Sequence, residues 1–440
     1  MGRPPLRRRH RPLSDGVDRV TNLSAGTGRP WRAVAWAVAI VFLVALAIRL
    51  YLLTRVPERY IIPHHRWEIE AIAWSLVENG RFADPYAVPT GPTAHVPPLY
   101  PLALSGVWRI FGLGASGGYA GWIMGLGLAA LQCALIPWFA VRLGLGLAPG
   151  IMVGVGCAVL PAWPSHVEPP AAILLGLLML AFRRRWVGES PTLSRSLLLG
   201  AGAGVAFHLQ PVLLSVVAGF LAFELWRIRD PRRWTAAGAV LLGALVVCLP
   251  WAWRNYSTMH GIFFIRSNFG LELLVGNHPG AKAEIDDMLN TVTHLHPRTS
   301  VEQARRVRDL GEVAFMRAAG AEARGWIAAN PWTYARLSAE RALAFWCRTT
   351  EELWYAVPAT LVTLLGALGA ARLLPRRSEA ERAVLLVPLI MFPPVYYFVD
   401  YLPRYRLPVI WVLYLFAAAE VWYRLRRGAP TAPAESRRAA

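Results

Sequence analysis

Residues His64–Pro101 read HHRWEIEAIAWSLVENGRFADPYAVPTGPTAHVPPLYP. One hydrophobic run precedes this stretch and many follow it, so it lies where the chain leaves a membrane. A plain connection between two membrane helices needs no such mixture of acids, histidines, Gly/Pro and aromatics. Within it, Trp67–Asn79 carries Ile69, Ile72, Ala73 and Leu76 at helical spacing, which gives one apolar face. The segment is too short and too charged to span, so it is expected to lie along the interface. Glu68 and Glu70 flank the apolar face, one on each side, and the helical wheel does not choose between them. Either they are solvated charges on an amphipathic helix or they serve a site. Asp84-Pro85-Tyr86 and Thr90-Gly91-Pro92-Thr93 are turn material. Pro97 and Pro98 then suit a helix entrance, where N–H groups have no intrahelical partner. His95 and Tyr100 beside them are site candidates, with plain interfacial placement as the alternative.

Working outward, the 440-residue chain is 55% hydrophobic, and its mean hydropathy is positive. Runs such as Trp36–Leu53, Gly121–Val141, Gly238–Trp251 and Leu407–Val421 are nearly free of charge. Apolar stretches of about 18 residues or more are bilayer-span candidates. They do not alternate as barrel strands would. The expected fold is an all-α polytopic membrane bundle of about 10–12 membrane segments.

The formal charge of +19 comes almost wholly from arginine, Lys282 being the only lysine. Arginines cluster at 7–11, 183–185, 227–233, 372–377 and 424–427, each beside a hydrophobic run. That is the pattern of cytoplasmic loops. Nucleic-acid binding would need a basic face on a soluble domain, and none is evident. Four cysteines, Cys133, Cys157, Cys248 and Cys347, are far apart and show no metal or disulfide spacing.

With the arginine clusters inside, residues 1–32 form a basic cytoplasmic tail leading to a first membrane helix. Residues 33–254 make an N-terminal bundle that includes an outer loop, 54–100. Pro98–Phe111 is short for a span, so it either tilts across or re-enters. If it does not cross, Arg142 and Arg183–Arg185 fall inside and His166 and Glu168 outside. Residues 255–350 form an outer helical region. A capping box at Ser300–Gln303 and Asn330-Pro331 predict helices near 301–328 and 331–347. Spans near 353–372, 383–401 and 405–424 complete a C-terminal membrane part, 351–424. Residues 425–440 read as a disordered cytoplasmic tail.

The order WEIEAIAWSLVENGRF then TGPTAHVPPLYPLAL resembles the first outer loop of bacterial family 39 membrane glycosyltransferases. These are relatives of protein O-mannosyltransferases and of the lipid A aminoarabinose transferase, in the GT-C structural class. There an acidic residue opens an interfacial helix, and His-x-Pro-Pro-Leu-Tyr leads into the next hydrophobic segment. Glu68 takes the acidic position where the commonest form has Asp. Asn268-Phe-Gly-Leu-Glu272, Gly276-Asn277-His278-Pro279-Gly280 and Gly311-Glu312 resemble the central outer domain of a bacterial subgroup. Asp400-Tyr-Leu-Pro-Arg404-Tyr405-Arg406-Leu-Pro408 resembles its Arg-Tyr-Arg-x-Pro helix entry. The likeness runs over roughly residues 35–424, and motif order is its stronger part.

The resemblance implies inverting transfer of a sugar from a polyprenyl-phosphate donor to a cell-envelope acceptor (protein, lipid or glycan). The reaction would occur at the outer face of the plasma membrane. It makes Glu68 the expected base, with a metal-ligand or acceptor-positioning role as alternatives. Arg404 and Arg406 are the expected phosphate ligands, against simple interfacial snorkelling. Arg254 and Arg266 are weaker phosphate candidates. Glu70, His95, Tyr100, Glu272 and Asn277 are expected around the substrate, the last two with a scaffold role as the leading alternative. A divalent metal is possible, though no ligand cluster has diagnostic spacing. Trp251, Trp253 and Trp354 read as an aromatic belt, and His208 and Gln210 as groups that hydrogen-bond between helices.

Gly112–Gly117 matches GxGxxG but has no strand before it, so nucleotide binding is excluded. Gly200–Gly204 suits close helix packing. The rival functions are a transporter or flippase of lipid-linked glycans, and a non-catalytic scaffold. Transporters usually show repeats and midplane charges, whereas the polar groups here gather at one edge.

Overall fold

A computed structural model describes residues 29–63, 67–159, 167–187, 191–227, 231–285, 293–347 and 353–428. Residues 1–28, His166 and residues 429–440 lie outside them, while residues 425–428, expected in a disordered tail, are helical. Among the described residues, six helices are long and apolar enough to cross a membrane. They include α1 (Arg29–Leu53), α4 (Ala115–Arg142), α9 (Pro231–Met259) and α14 (Leu353–Leu373). The other two are α15 (Glu379–Met391), extended by a short α16 (Pro394–Phe398), and α17 (Leu407–Gly428). Between them stand the shorter apolar helices α5 (Leu147–Val159), α6 (Glu168–Val187), α7 (Leu193–Phe207) and α8 (Leu213–Arg227). The chain is thus an all-helical, multi-pass membrane protein.

Contacts at the helix ends fix the order of passes. The Arg142 guanidinium at the end of α4 lies 4.6 Å from the Trp31 ring at the start of α1. At the other end, Trp122 of α4 donates its indole N–H to Tyr60 O at 3.2 Å, just past α1. So α1 and α4 are antiparallel, and α4 begins where α1 finishes. Two helices lie between those points, α2 (Glu68–Asn79) and α3 (Leu99–Phe111). A crossing by just one of them would leave α4 starting at the wrong end, and neither is among the six long apolar helices, so residues 98–111 read as a helix that stays at one end. The ion pairs Arg183–Glu381, Arg227–Glu379 and Arg372–Glu420 all join the opposite, arginine-rich end.

The bundle is held by close backbone packing and by paired charges. A Cβ on Gly200 of α7 would sit 2.0 Å from the Val240 carbonyl oxygen of α9, and one on Gly243 would sit 2.2 Å from Leu197 O. Only glycine admits that approach. At the arginine-rich end, Arg185 makes two bonds to the Glu224 carboxylate, at 2.7 and 2.9 Å, and one to Ser196 Oγ at 2.7 Å. Trp186 Nε1 also donates to Glu224 at 3.0 Å. The charges are buried but fully engaged, the condition under which such a pair is tolerated. The most buried long span is α17, with 67% of its apolar window inside the protein. It packs on α5, α6, α14 and α15 around Phe139, Phe182, Phe220 and Trp411.

Over the end opposite the arginines sits a helical layer. It comprises α10 (Phe269–Gly276), α11 (Val301–Leu310), α12 (Glu312–Ala329) and α13 (Pro331–Cys347). The single helix expected over 301–328 is in fact two. Gly311, at φ +80°, turns the chain between α11 and α12, a conformation costly for any residue with a Cβ. Ser300 does cap α11, its Oγ accepting the Gln303 N–H at 3.3 Å. Asn330 instead closes α12, its side chain donating to Trp326 O at 2.9 Å.

Candidate functional site

The connection between α1 and α3 is pinned before any site residue is placed. The helix α2 ends on Gly80 in the left-handed region. The Asp84 carboxylate then takes the N–H groups of Thr90 and Gly91 at 2.8 and 2.7 Å, closing the turn. Arg254, at the outer end of α9, donates to Thr93 O at 2.6 Å and Phe82 O at 2.7 Å. Trp251 packs edge-on against Phe82, ring centroids 4.9 Å apart, and donates to Ile265 O. It is therefore a loop brace rather than a belt residue, unlike Trp253, which is exposed. The Trp354 side chain lies outside the described part.

Glu312, first residue of α12, fastens the helical layer to the same loop. Its buried carboxylate accepts from Thr93 Oγ1, from the Ala94 N–H at 2.8 Å and from Ser267 Oγ at 2.5 Å. Burial pushes this carboxyl up against the pull of those donors. Arg266 adds a bond to His95 O at 3.0 Å and lies 3.7 Å from Glu272.

An upper cluster forms under this clamp. Glu68 Oε1 lies 3.2 Å from Arg298 Nε and 3.7 Å from His296 Nε2. Arg298 also lies 4.4 Å from the centroid of the Trp67 ring. His95 is buried, with Nδ1 2.9 Å from the Tyr86 hydroxyl, and its ring packs edge-on to His296 at 5.6 Å. Burial, then His296, Arg266 and Arg298, hold His95 well below the usual histidine range, so it is neutral at pH 7. Burial and the neighbouring carboxylates keep Tyr86 protonated.

A deeper cluster lies toward the membrane. Glu168, opening α6, is buried, with one oxygen 3.5 Å from Arg404 Nε and the other without a partner. Arg404 keeps 45% of its side-chain surface accessible while it pairs with Glu168. The charges facing it include Glu168 and Glu68, so it stands between the two clusters. Its guanidinium lies over the Tyr405 ring at 5.6 Å. Gln210 donates to the Tyr396 hydroxyl at 3.0 Å, the interhelical bond expected of it. His208 Nδ1 lies 2.8 Å from Gly204 O of its own helix and 4.0 Å from Cys248 Sγ of α9, a second contact between helices. Glu168 and Glu70 both face Tyr100, whose hydroxyl is pushed up by burial first.

Glu68, Glu70, His95, Tyr100, Arg266, Glu272 and Arg404 thus share one end of the bundle. Two expected residues do not reach it. Arg406 is buried and donates to Phe345 O at 3.0 Å and to the Tyr414 hydroxyl at 3.3 Å, bracing α17 to α13. Asn277 is wholly buried; its amide donates to Leu273 O and Val399 O and accepts from Arg341 at 3.1 Å. It is scaffold. Sequence reasoning missed His296 and Arg298, which sit in a polar connection with no helical pattern. It also passed over Tyr86, taken as a turn residue.

Glu68, His95 and His296 each offer a ligand atom, all within 4.8 Å of one another. Two imidazoles and a carboxylate suit zinc and similar ions. As the side chains stand, His296 Nδ1 accepts the Arg298 N–H at 3.1 Å, so a neutral ring keeps its proton on Nε2. Arg298 already supplies a positive charge to Glu68. A metal would have to displace Arg298 and reverse the His296 tautomer.

No protein-family profile matches the chain, and no curated protein sequence matches it. Solved structures do match in fold. The Archaeoglobus fulgidus oligosaccharyltransferase in the apo form superposes with a TM-score of 0.55 at 14% identity, over 90% of this chain and 51% of that one. The same organism's oligosaccharyltransferase AglB, in complex with an inhibitory peptide and a dolichol-phosphate, gives 0.50 at 15%, over 92% and 53%. ArnT from Cupriavidus metallidurans, bound to undecaprenyl phosphate, gives 0.34 at 14%, over 90% and 78%. The chain spans about half the length of the archaeal enzyme. Its fold is that of GT-C membrane glycosyltransferases.

Proposed function

We propose that this protein is an inverting glycosyltransferase of the GT-C class. It moves a sugar from a polyprenyl-phosphate donor to an acceptor hydroxyl at the outer membrane–water interface. The observation that carries the reading is the gathering of Glu68, Glu70, Glu168 and Arg404 at one end of the bundle, beneath the helical layer. The shared fold supports the reading without proving it, since one fold hosts several chemistries. The dolichol-phosphate held by the archaeal enzyme is a donor-carrier of the expected kind. The order of motifs in the first outer loop favours family 39. The arginine clusters at the other end support an extracytoplasmic site.

In this mechanism Glu68 takes the proton from the attacking hydroxyl. Arriving acceptor loosens the hold of Arg298 on that carboxylate. Arg404 faces the lipid phosphate and offsets the charge that gathers as the glycosidic bond breaks. Glu168 balances Arg404 while no phosphate is there. Arg266 and Glu272 fix the loop that carries His95.

The test is sugar transfer by purified protein in nanodiscs, with a panel of polyprenyl-phosphate sugars. Glu68→Gln is expected to slow transfer by roughly 10²–10⁴-fold, the usual worth of a positioned base. Arg404→Ala is expected to cost about 10²–10³-fold. Full transfer by Glu68→Gln would remove Glu68 as the base.

A further inference from the structure

The chain that follows α9 has no part in the mechanism above. Residues 261–265 read Gly-Ile-Phe-Phe-Ile, with no polar side chain between His260 and Arg266. His260, in the left-handed region at φ +54°, turns the chain back at the end of α9. Burial then alternates along the segment. Gly261 packs so closely on α12 that an added Cβ would lie 2.6 Å from a Val313 methyl. Ile265 is buried as well. Ile262 and Phe264 face away from the protein, and Ile262 keeps 96% of its surface exposed. Apolar groups exposed side by side mark a binding surface, either for protein or for membrane.

The depth of this segment follows from α9. A membrane span needs about 20 residues. Counted from Trp234, just past Arg232 and Arg233, that length brings the far boundary of the hydrocarbon to Trp253. The face of α9 turned away from α7 is apolar and exposed. Leu242, Val246, Leu249, Trp253 and Tyr256 follow one another along it at helical spacing, and lipid covers such a face. Trp253 and Tyr256 end the stripe with their rings 6.0 Å apart, and both are residue types that favour the headgroup boundary. The returning chain comes back to the same level. Ile265 O accepts the Trp251 indole N–H at 3.1 Å and the Asn255 amide at 3.5 Å. Ile262 and Phe264 therefore flank the boundary and continue the lipid-facing stripe.

We propose that Ile262 and Phe264 form a keel set into the bilayer surface at the site end, beside Trp253 and Tyr256. The occupant of this patch is the membrane itself, because the patch extends a face that lipid already covers. The residues that follow tie the keel to the site. The Ser267 N–H donates to Ala94 O at 3.0 Å, and Arg266 donates to His95 O at 3.0 Å. Lipid contact thereby holds the loop that carries His95 at a fixed height over the hydrocarbon. The inference does not depend on the reaction proposed above.

The experiment places a nitroxide label at Ile262→Cys in the full-length protein, in phosphatidylcholine nanodiscs, with the four native cysteines replaced by alanine. Collision with oxygen, which concentrates in lipid, is compared with collision with a water-soluble nickel chelate. Labels at Leu249→Cys, on the lipid-facing stripe, and at Glu302→Cys, exposed on α11, supply the two references. The ratio at 262 is expected to lie nearer the Leu249 value than the Glu302 value. Nickel access equal to that at 302 would overturn the proposal. So would shielding from both reagents, which would mean that a second copy or another protein covers the patch. Should the cysteine-free protein fail to fold, Phe264→benzoylphenylalanine in the native background decides the same point. Photo-cross-linking to phosphatidylcholine is then expected, and cross-links to protein alone would overturn the keel. The tie to the site is read by hydrogen exchange in the double variant Ile262→Glu, Phe264→Glu. Exchange of the Ser267 N–H, which donates to Ala94 O, is expected to quicken several-fold; an unchanged rate would overturn the anchoring of the loop. No readout involves sugar transfer, so the outcome stands whether or not the glycosyltransferase reading does.

Discussion

Glu68 is held by two residues from a distant part of the chain, Arg298 and His296. The carboxylate has a cation beside it before any substrate or metal arrives. Arg298→Ala should therefore bind Co²⁺ more tightly than wild type, read from its visible absorption; equal affinities would mean that Arg298 does not compete with the ion. Glu312 has a different duty at the same scale. Glu312→Ala leaves Thr93, Ser267 and the Ala94 N–H without their shared acceptor. Each buried orphan costs about 1–3 kcal/mol, so a clear fall in melting temperature in detergent is expected. An unchanged melting curve would show that the clamp adds nothing. Neither His296 nor Arg298 could be read from sequence, because a site partner delivered by an irregular loop leaves no periodicity. Glu68 could be read, because its helix has an apolar face and an acidic start. Arg404 and Arg406 looked alike in sequence. They part company because the four-residue turn Pro403–Arg406 points Arg404 at Glu168 and Arg406 at α13.

Helices set the next level. Most spans were legible, since lipid demands long apolar runs and arginines mark their ends. The short helix α3 was ambiguous because 13 residues neither clearly span nor clearly do not. The contact of Trp122 with Tyr60 decides it, and that contact joins residues with no pattern in common. The break at Gly311 was equally hidden, as a glycine inside a helical pattern signals either a packing site or a stop. Two element-scale outcomes are expected. Gly200→Val pushes a side chain into the Val240 carbonyl and should destabilise by about 1–3 kcal/mol through overpacking. Glu224→Gln leaves Arg185 buried without its counter-charge and should cost about 3–5 kcal/mol. Thermal unfolding in detergent measures both; wild-type stability in either would show that the α7–α9 seam or the charge pair is dispensable.

Across the described residues, the passes place the candidate site residues at one end and Arg183, Arg227, Arg372 and Arg424 at the other. Cysteines introduced at Ile110 and Tyr60 should react with an impermeant maleimide from one side of sealed vesicles, and one at Arg184 only from the other. Labelling of Ile110→Cys from the Arg184 side would mean that α3 crosses after all. The hairpin of α7 and α8 has a further meaning at this scale. Each helix has 15 residues, about 22 Å of rise, against a hydrocarbon core of about 30 Å. Alone, such a hairpin is shorter than the hydrocarbon core. The buried crest, Leu209 and Gln210, is instead roofed by the start of α3, whose Leu99 N–H bonds His208 O at 3.1 Å, so the loop after α1 makes up the length that the short hairpin lacks.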